Sequence, residues 1–245
     1  MIVPVCRFKL LVILCAILLP FPSVYSAVKD SIPPNRAVRS AIAPVLLMGG
    51  GLVFNNSQPE KNLQGRIQDA VGDGFHSDVD DYLQYVPVLQ LYISDLAGVE
   101  SRNHWFDQSK YLLISNLITA SITQGLKKLT PKLRPNGAPD AFPSGHTSFA
   151  FNNAAVLFQE FNHSAPVLAY SGFLFSSATG VMRMVNNRHW FSDVLFGAGL
   201  GILSVELVYW IEPLKSFNPF KKSDGISFQP VISDNYYGIY FSCTF

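Results

Sequence analysis

Apolar residues run through this chain in long blocks separated by short polar segments, and the blocks have helical length. Stretches 82–97, 111–126, 147–161, 165–182 and 191–210 each read as a helix, and 62–71 as a short amphipathic one. Stretch 165–182 holds no charged residue. Stretch 37–54 is also apolar, but Pro44 and Gly49-Gly50-Gly51 make it a weak span. Stretches 82–97 and 111–126 fall slightly short of the ~20 residues a membrane crossing needs. After Pro213 the pattern changes: 214–225 is a polar linker, and two aromatic-rich segments flank Ser233-Asp234-Asn235 as a β-hairpin would. The expected fold is all-α, an antiparallel helical bundle embedded in a membrane, with a short C-terminal β-hairpin.

Composition sharpens this picture. The chain has 245 residues and a net charge of +1, so no global field recruits nucleic acid. Only 14% of residues are charged, against about 25% in an average protein. The mean hydropathy of +0.22 lies between soluble and polytopic membrane chains. Cys6, Cys15 and Cys243 have no zinc-site or disulfide spacing. Residues 1–26 carry Arg7 and Lys9 ahead of an apolar run, then Val24 and Ser26, as in an export signal or anchor. The domain reading is 1–26 signal, 27–212 helical domain, and 213–245 linker and hairpin.

Three polar clusters interrupt the helices. Lys127 and Arg134 form the first, Ser144, Gly145 and His146 the second, and Arg183, His189 and Asp193 the third. Because successive helices alternate in direction, all three fall at one end of the bundle. Three fixed cations and two imidazoles suit a phosphoryl group, whose transition state spreads charge over three oxygens. Arginine binds such oxygens in bidentate fashion, and lysine adds a point charge. Gly145 lets the backbone pass close to substrate, and a helix starting near His146 aims free N–H groups at the anion. The protein supplies the positive charge, so no metal or other cofactor is expected. His189 and Asp193 lie four apart on one helical face, so the carboxylate is expected to orient His189 as nucleophile. His146 has no acidic residue at matching spacing, and is expected to be the general acid. His76, Asp78, Asp80 and Asp81 are read as a solvated loop and helix start, with a metal site as the competing reading. His104 is read as structural or exposed.

The motifs, K-x6-R-P at 127–135, P-S-G-H at 143–146 and R-x5-H-x3-D at 183–193, resemble those of the type 2 phosphatidic acid phosphatase and vanadium haloperoxidase superfamily. Met182 departs from it, standing where the family usually has Ser. The resemblance implies a phosphohistidine on His189, leaving-group protonation by His146, and phosphate binding by Lys127, Arg134, Ser144, Gly145 and Arg183. It implies phosphate monoesters or diphosphates as substrates. The apolar bundle and the export signal favour those of lipids, with the enzyme at the inner membrane or in the periplasm. A soluble periplasmic acid phosphatase of small phosphate esters, a non-catalytic binder of anionic lipids and a haloperoxidase stay open as alternatives. In the six-helix arrangement of the membrane branch, 9–22 is taken as the first rod, which works only if 37–54 does not span. The positive-inside rule opposes this orientation, because Lys127, Lys128, Lys132, Arg134, Arg183 and Arg188 all fall on the outer side.

Overall fold

A computed structural model describes residues 36–72, 74–211, 226–233 and 236–243, the last two segments by their backbone. The export signal expected at 1–26 lies outside the described residues. The chain divides into two units, Met1–Trp210 and Ile211–Phe245. In the second, Ile226–Ser233 (β1) and Tyr236–Cys243 (β2) pair antiparallel, with Ile226 opposite Cys243 and Ser233 opposite Tyr236.

The described part of the first unit is all helix. Its elements are α1 Arg36–Phe54, α2 Gln58–Val71, α3 Val79–Leu83, α4 Val86–Leu96, α5 Trp105–Leu129, α6 Gly145–Phe161, α7 Pro166–Val185 and α8 Phe191–Trp210. Local chemistry sets several starts. Ser57 accepts from the Glu60 amide at the head of α2, and Pro59 occupies the first turn, where its missing N–H costs nothing. His104 is the N-cap of α5, its Nδ1 accepting from the Phe106 amide. Stretch 82–97 is not one helix: Pro87 lacks the amide a continuous helix would use there, so the chain turns at 84–85 and restarts as α4.

Five long helices, α1 and α5 to α8, form the bundle with the shorter α4, and their directions alternate. α5 starts beside the end of α6, where the Arg102 and Asn103 amides donate to Glu160, and it finishes at the opposite end. α6 and α8 run away from that end, and α7 runs toward it. α1 lies antiparallel along α8, Gly51 meeting Phe196 and the Ser192 carbonyl while Gly199 meets the Pro44 carbonyl. Stretch 37–54, read from sequence as a weak span, is thus packed into the bundle as α1. Pro44 is accommodated because α8 offers glycine opposite its turn; stretch 9–22, taken as the first rod, lies outside the described residues. Close helix contacts recur at Gly197 and Gly201 against α6. Phe142, Phe196 and Leu200 pack with Met48 and Leu126 in a small core beneath the site.

Candidate active site

Each motif is delivered by a helix end. α6 begins at Gly145 with Ser144 as its N-cap, the Ser144 Oγ accepting from the Thr147 amide at 3.4 Å and lying 2.9 Å from the Thr147 hydroxyl. The first-turn amides of α6 therefore open toward the site. A Cβ on Gly145 would meet only Thr123 Cγ2 at 3.8 Å, so packing does not demand glycine there. Lys127 stands in the last turn of α5, its Nζ on the Asp140 carbonyl at 2.6 Å. Arg134 sits on a loop closed by its own amide on the Ala138 carbonyl and by the Gly137 amide on its carbonyl. Arg183 lies in the last turn of α7. There Asn187 takes φ +57°, and the chain folds back so that the Arg188 and His189 amides both reach the Arg183 carbonyl.

These ends surround one pocket of about 440 Å³. Lys127, Arg134, Gly145, His146, Arg183 and His189 all line it, as the motif spacing predicts. Ser144 and Asp193 do not. Ser144 is fully buried and its hydroxyl serves the helix cap. Asp193 is fully buried behind His189. Met182 is also absent from the lining.

His189 differs in detail from the sequence expectation. Its Nδ1 donates to the Ala141 carbonyl at 2.8 Å, and Asp193 Oδ2 lies farther, at 3.5 Å. A carbonyl only accepts, so Nδ1 carries the proton and Nε2 keeps a lone pair. Asp193 is held instead by the Lys132 ammonium at 2.9 Å on Oδ1 and the Trp190 amide at 2.8 Å on Oδ2. Burial is the largest influence on the His189 ring and holds its pKa down to about 4, with Asp193 opposing it. The ring is neutral at working pH.

Several site residues gave no motif signal. Lys132 is buried, and its Nζ contacts Ser192 Oγ at 2.7 Å and both Glu60 carboxylate oxygens at 3.4 Å besides Asp193. Glu60 also accepts the Ser192 amide, tying α2 to the start of α8. His76, Asp78 and Asp81 are exposed at a loop and helix start, as read from sequence, but Asp80 is not solvated. Asp80 is 1% exposed and accepts from Arg183 Nη1 at 2.5 Å and from Asn186 Nδ2 at 2.8 Å. Asp81 Oδ1 lies 2.9 Å from His146 Nε2. Among the described residues no group of three or more His, Cys, Asp or Glu side chains is placed to hold a metal ion.

The cations are crowded. Burial first, then Arg134, holds the Lys127 ammonium below its usual pKa; burial, then Arg183 and Arg188, lowers Arg134. Burial and Arg183 also lower His146, against Asp81 and Asp80. Positive groups pressed together around a cavity relax when an anion binds among them.

Residues 108–216 match the model of the PAP2 superfamily. A lipid A 1-phosphatase of Porphyromonas gingivalis is 35% identical over 171 residues, which is 65% of this chain and 38% of that relative. The chain thus spans well under half of the relative's length. A crystal structure of a transmembrane PAP2-type phosphatidylglycerolphosphate phosphatase from Bacillus subtilis superposes with a TM-score of 0.51 at 19% identity, covering 72% of this chain and 99% of that one. That of Aquifex aeolicus LpxE gives 0.45 at 19% identity, over 60% of this chain and 93% of the other. The similarity to the PAP2 superfamily lies within residues 108–216, and the three motifs that meet at the pocket all fall inside that segment.

Proposed function

We propose that this chain is a metal-independent phosphatase that removes a phosphoryl group from a phosphorylated lipid through a phosphohistidine on His189. The observation that carries the reading is the wiring of that ring. Nδ1 is occupied by the Ala141 carbonyl, so Nε2 is the nitrogen left to meet a substrate in a pocket lined by Lys127, Arg134 and Arg183. In the first step the Nε2 lone pair forms a bond to phosphorus. The bond to the leaving oxygen breaks, and that oxygen keeps the electron pair and takes a proton from His146. In the second step water attacks phosphorus, gives its proton to His146, and the P–N bond returns its electrons to His189. The three cations hold the equatorial oxygens, where charge develops. The relative named a lipid A 1-phosphatase supports a lipid phosphate as substrate.

Membrane embedding is part of the same proposal, and α5 supports it. Its inward face is polar: Gln108, Ser115, Thr119 and Thr123 are buried. Its outward face carries Leu113, Leu117 and Ile122, all exposed. Water would select the reverse, whereas lipid accepts apolar side chains outside and rewards hydrogen bonds between helices. Such bonds join Ser115 and Thr119 to Asn152 on α6, and Asn116 to Asn153. Leu96 is 88% exposed and Val167 87%, which extends the apolar surface onto α4 and α7. α8 alone among the described helices is long and apolar enough to cross a membrane by composition, and it is mostly buried in the bundle.

The test is phosphate release from a lipid phosphate in detergent with a chelator present. Wild-type turnover should persist, and His189→Ala should lose at least about a thousandfold in kcat. Undiminished turnover in the variant removes the nucleophile from this account, and loss of wild-type turnover on chelation removes metal independence.

A further inference from the structure

His146 must give up a proton in one step and take one back in the next, yet burial and the cation Arg183 both favour its neutral form. Lys127 of α5, Arg134, Arg188 and His189 of the loops line the same pocket and add no negative charge. The carboxylates that line the pocket are Asp78, paired with His76 on the segment before α3, and Asp80 and Asp81 of α3. Of these, Asp81 Oδ1 stands 2.9 Å from Nε2, and its side chain is 52% exposed toward the opening.

The two neighbouring aspartates both reach Arg183, Asp81 Oδ1 lying 3.7 Å from Nη1 besides its 2.9 Å contact with His146 Nε2. Asp80 is buried and anchors α3 by its bonds to Arg183 and Asn186. Asn186 fastens the same segment a second time, donating to the Ser77 carbonyl at 2.7 Å and accepting from the Ser77 amide at 3.0 Å. A helix of five residues is thereby clamped to the end of α7, and Asp81 is presented to His146 from a fixed base.

Resting on the phosphatase reading above, we propose that Asp81 is a positioning residue for His146. It accepts the Nε2 proton, which leaves Nδ1 as the nitrogen that protonates the leaving oxygen and later receives the proton of the attacking water. The two imidazoles are then wired in opposite senses. His189 has Nδ1 tied to a carbonyl and Nε2 free for phosphorus; His146 has Nε2 tied to a carboxylate and Nδ1 free for oxygen. In the first step Nδ1–H passes its proton to the departing alkoxide as the P–O bond breaks, and the neutral ring stays on Asp81 through Nε2–H. In the second step Nδ1 regains a proton from water, and the negative carboxylate stabilises the imidazolium that forms.

The experiment compares kcat/KM, which reports the first chemical step, for an alkyl phosphate and for p-nitrophenyl phosphate. Asp81→Ala should lower the alkyl value about 10–100-fold and the aryl value about threefold or less, since a good leaving group scarcely needs the acid. Asp81→Asn keeps an acceptor oxygen without the charge, so its alkaline limb should move down by roughly half to one pH unit, with a smaller loss of rate than Asp81→Ala. Equal losses on both substrates, a gain on both, or an alkaline limb that stays in place with Asp81→Asn would each overturn the proposal. If Asp81→Ala does not accumulate, the Asp81→Asn pH profile decides alone. His189→Ala separates the two levels: turnover surviving in it defeats the phosphatase reading itself, whereas its loss beside an unselective Asp81→Ala defeats only this assignment.

Discussion

At the scale of the residue, the site depends on buried charge arranged to cancel. His189 is fully buried with its folded pKa held to about 4, against about 6.5 for an unfolded histidine. The unfolded state therefore binds the extra proton between those values. Stability is fully present above pH 6.5 and is lost as pH falls through about 4. His189→Gln should remove that part of the acid dependence, worth about 3 kcal/mol, read as the difference between the two unfolding curves across pH 6.5 to 4. Parallel curves would show that burial of this ring is not linked to folding. Asp193→Asn should cost about 3 kcal/mol by leaving Lys132 with Glu60 as its one carboxylate partner, and Asp193→Asn with Lys132→Met should be milder than the sum of the two, as a double-mutant cycle in thermal unfolding reads it. Additive losses would mean that the pair is not coupled. Lys127, Arg134, Arg183, His146 and His189 were legible because motif chemistry fixes their spacing, whereas His76 and Arg188 of the same pocket lie outside that pattern. Asp80, Asp81, Glu60 and Lys132 were not legible, because their partners lie 60 to 132 residues away and an Asp at a helix start looks like a cap.

At the scale of the element, glycines set how closely the motif-bearing helices approach. A Cβ on Gly201 would stand 2.3 Å from the Ser148 carbonyl, and one on Gly197 2.8 Å from the Ser144 carbonyl. Both neighbours are backbone of the His146-bearing segment, so the helix would have to move. Gly201→Ala should therefore cost at least about 1–3 kcal/mol and lower activity. Gly125→Ala on α5 meets nothing within 4 Å and should gain about 0.5–1 kcal/mol from helix propensity alone. Thermal unfolding of the two variants in detergent checks this; a neutral Gly201→Ala would show that α6 and α8 are not held at that contact. Hydrophobic length located these helices well, and α8 runs over the stretch read from sequence. It failed at 82–97, where Pro87 splits the run; in α1, Gly51 of the three glycines read as weakness serves close packing against α8.

At the scale of the whole molecule, α5 turns a largely polar face to the bundle and an apolar one outward, while α6, α7 and α8 meet largely through apolar side chains. That inversion was invisible in composition, because average hydropathy does not record which face a side chain takes. It leads to the expectation that the protein stays in the membrane pellet after alkaline carbonate. Release into the supernatant would mean that the exposed leucines of α4, α5 and α7 are covered by something other than lipid.

The central claim is that the free nitrogen of His189 takes the phosphoryl group. The most direct measurement is a rapid alkaline quench of the protein with a ³²P-labelled lipid phosphate, followed by mapping of the label. The account predicts a base-stable, acid-labile phosphoprotein with its label on the peptide containing His189, absent from His189→Ala and retained, though formed more slowly, in His146→Ala. Turnover without any labelled protein, or label that survives in His189→Ala, would contradict it.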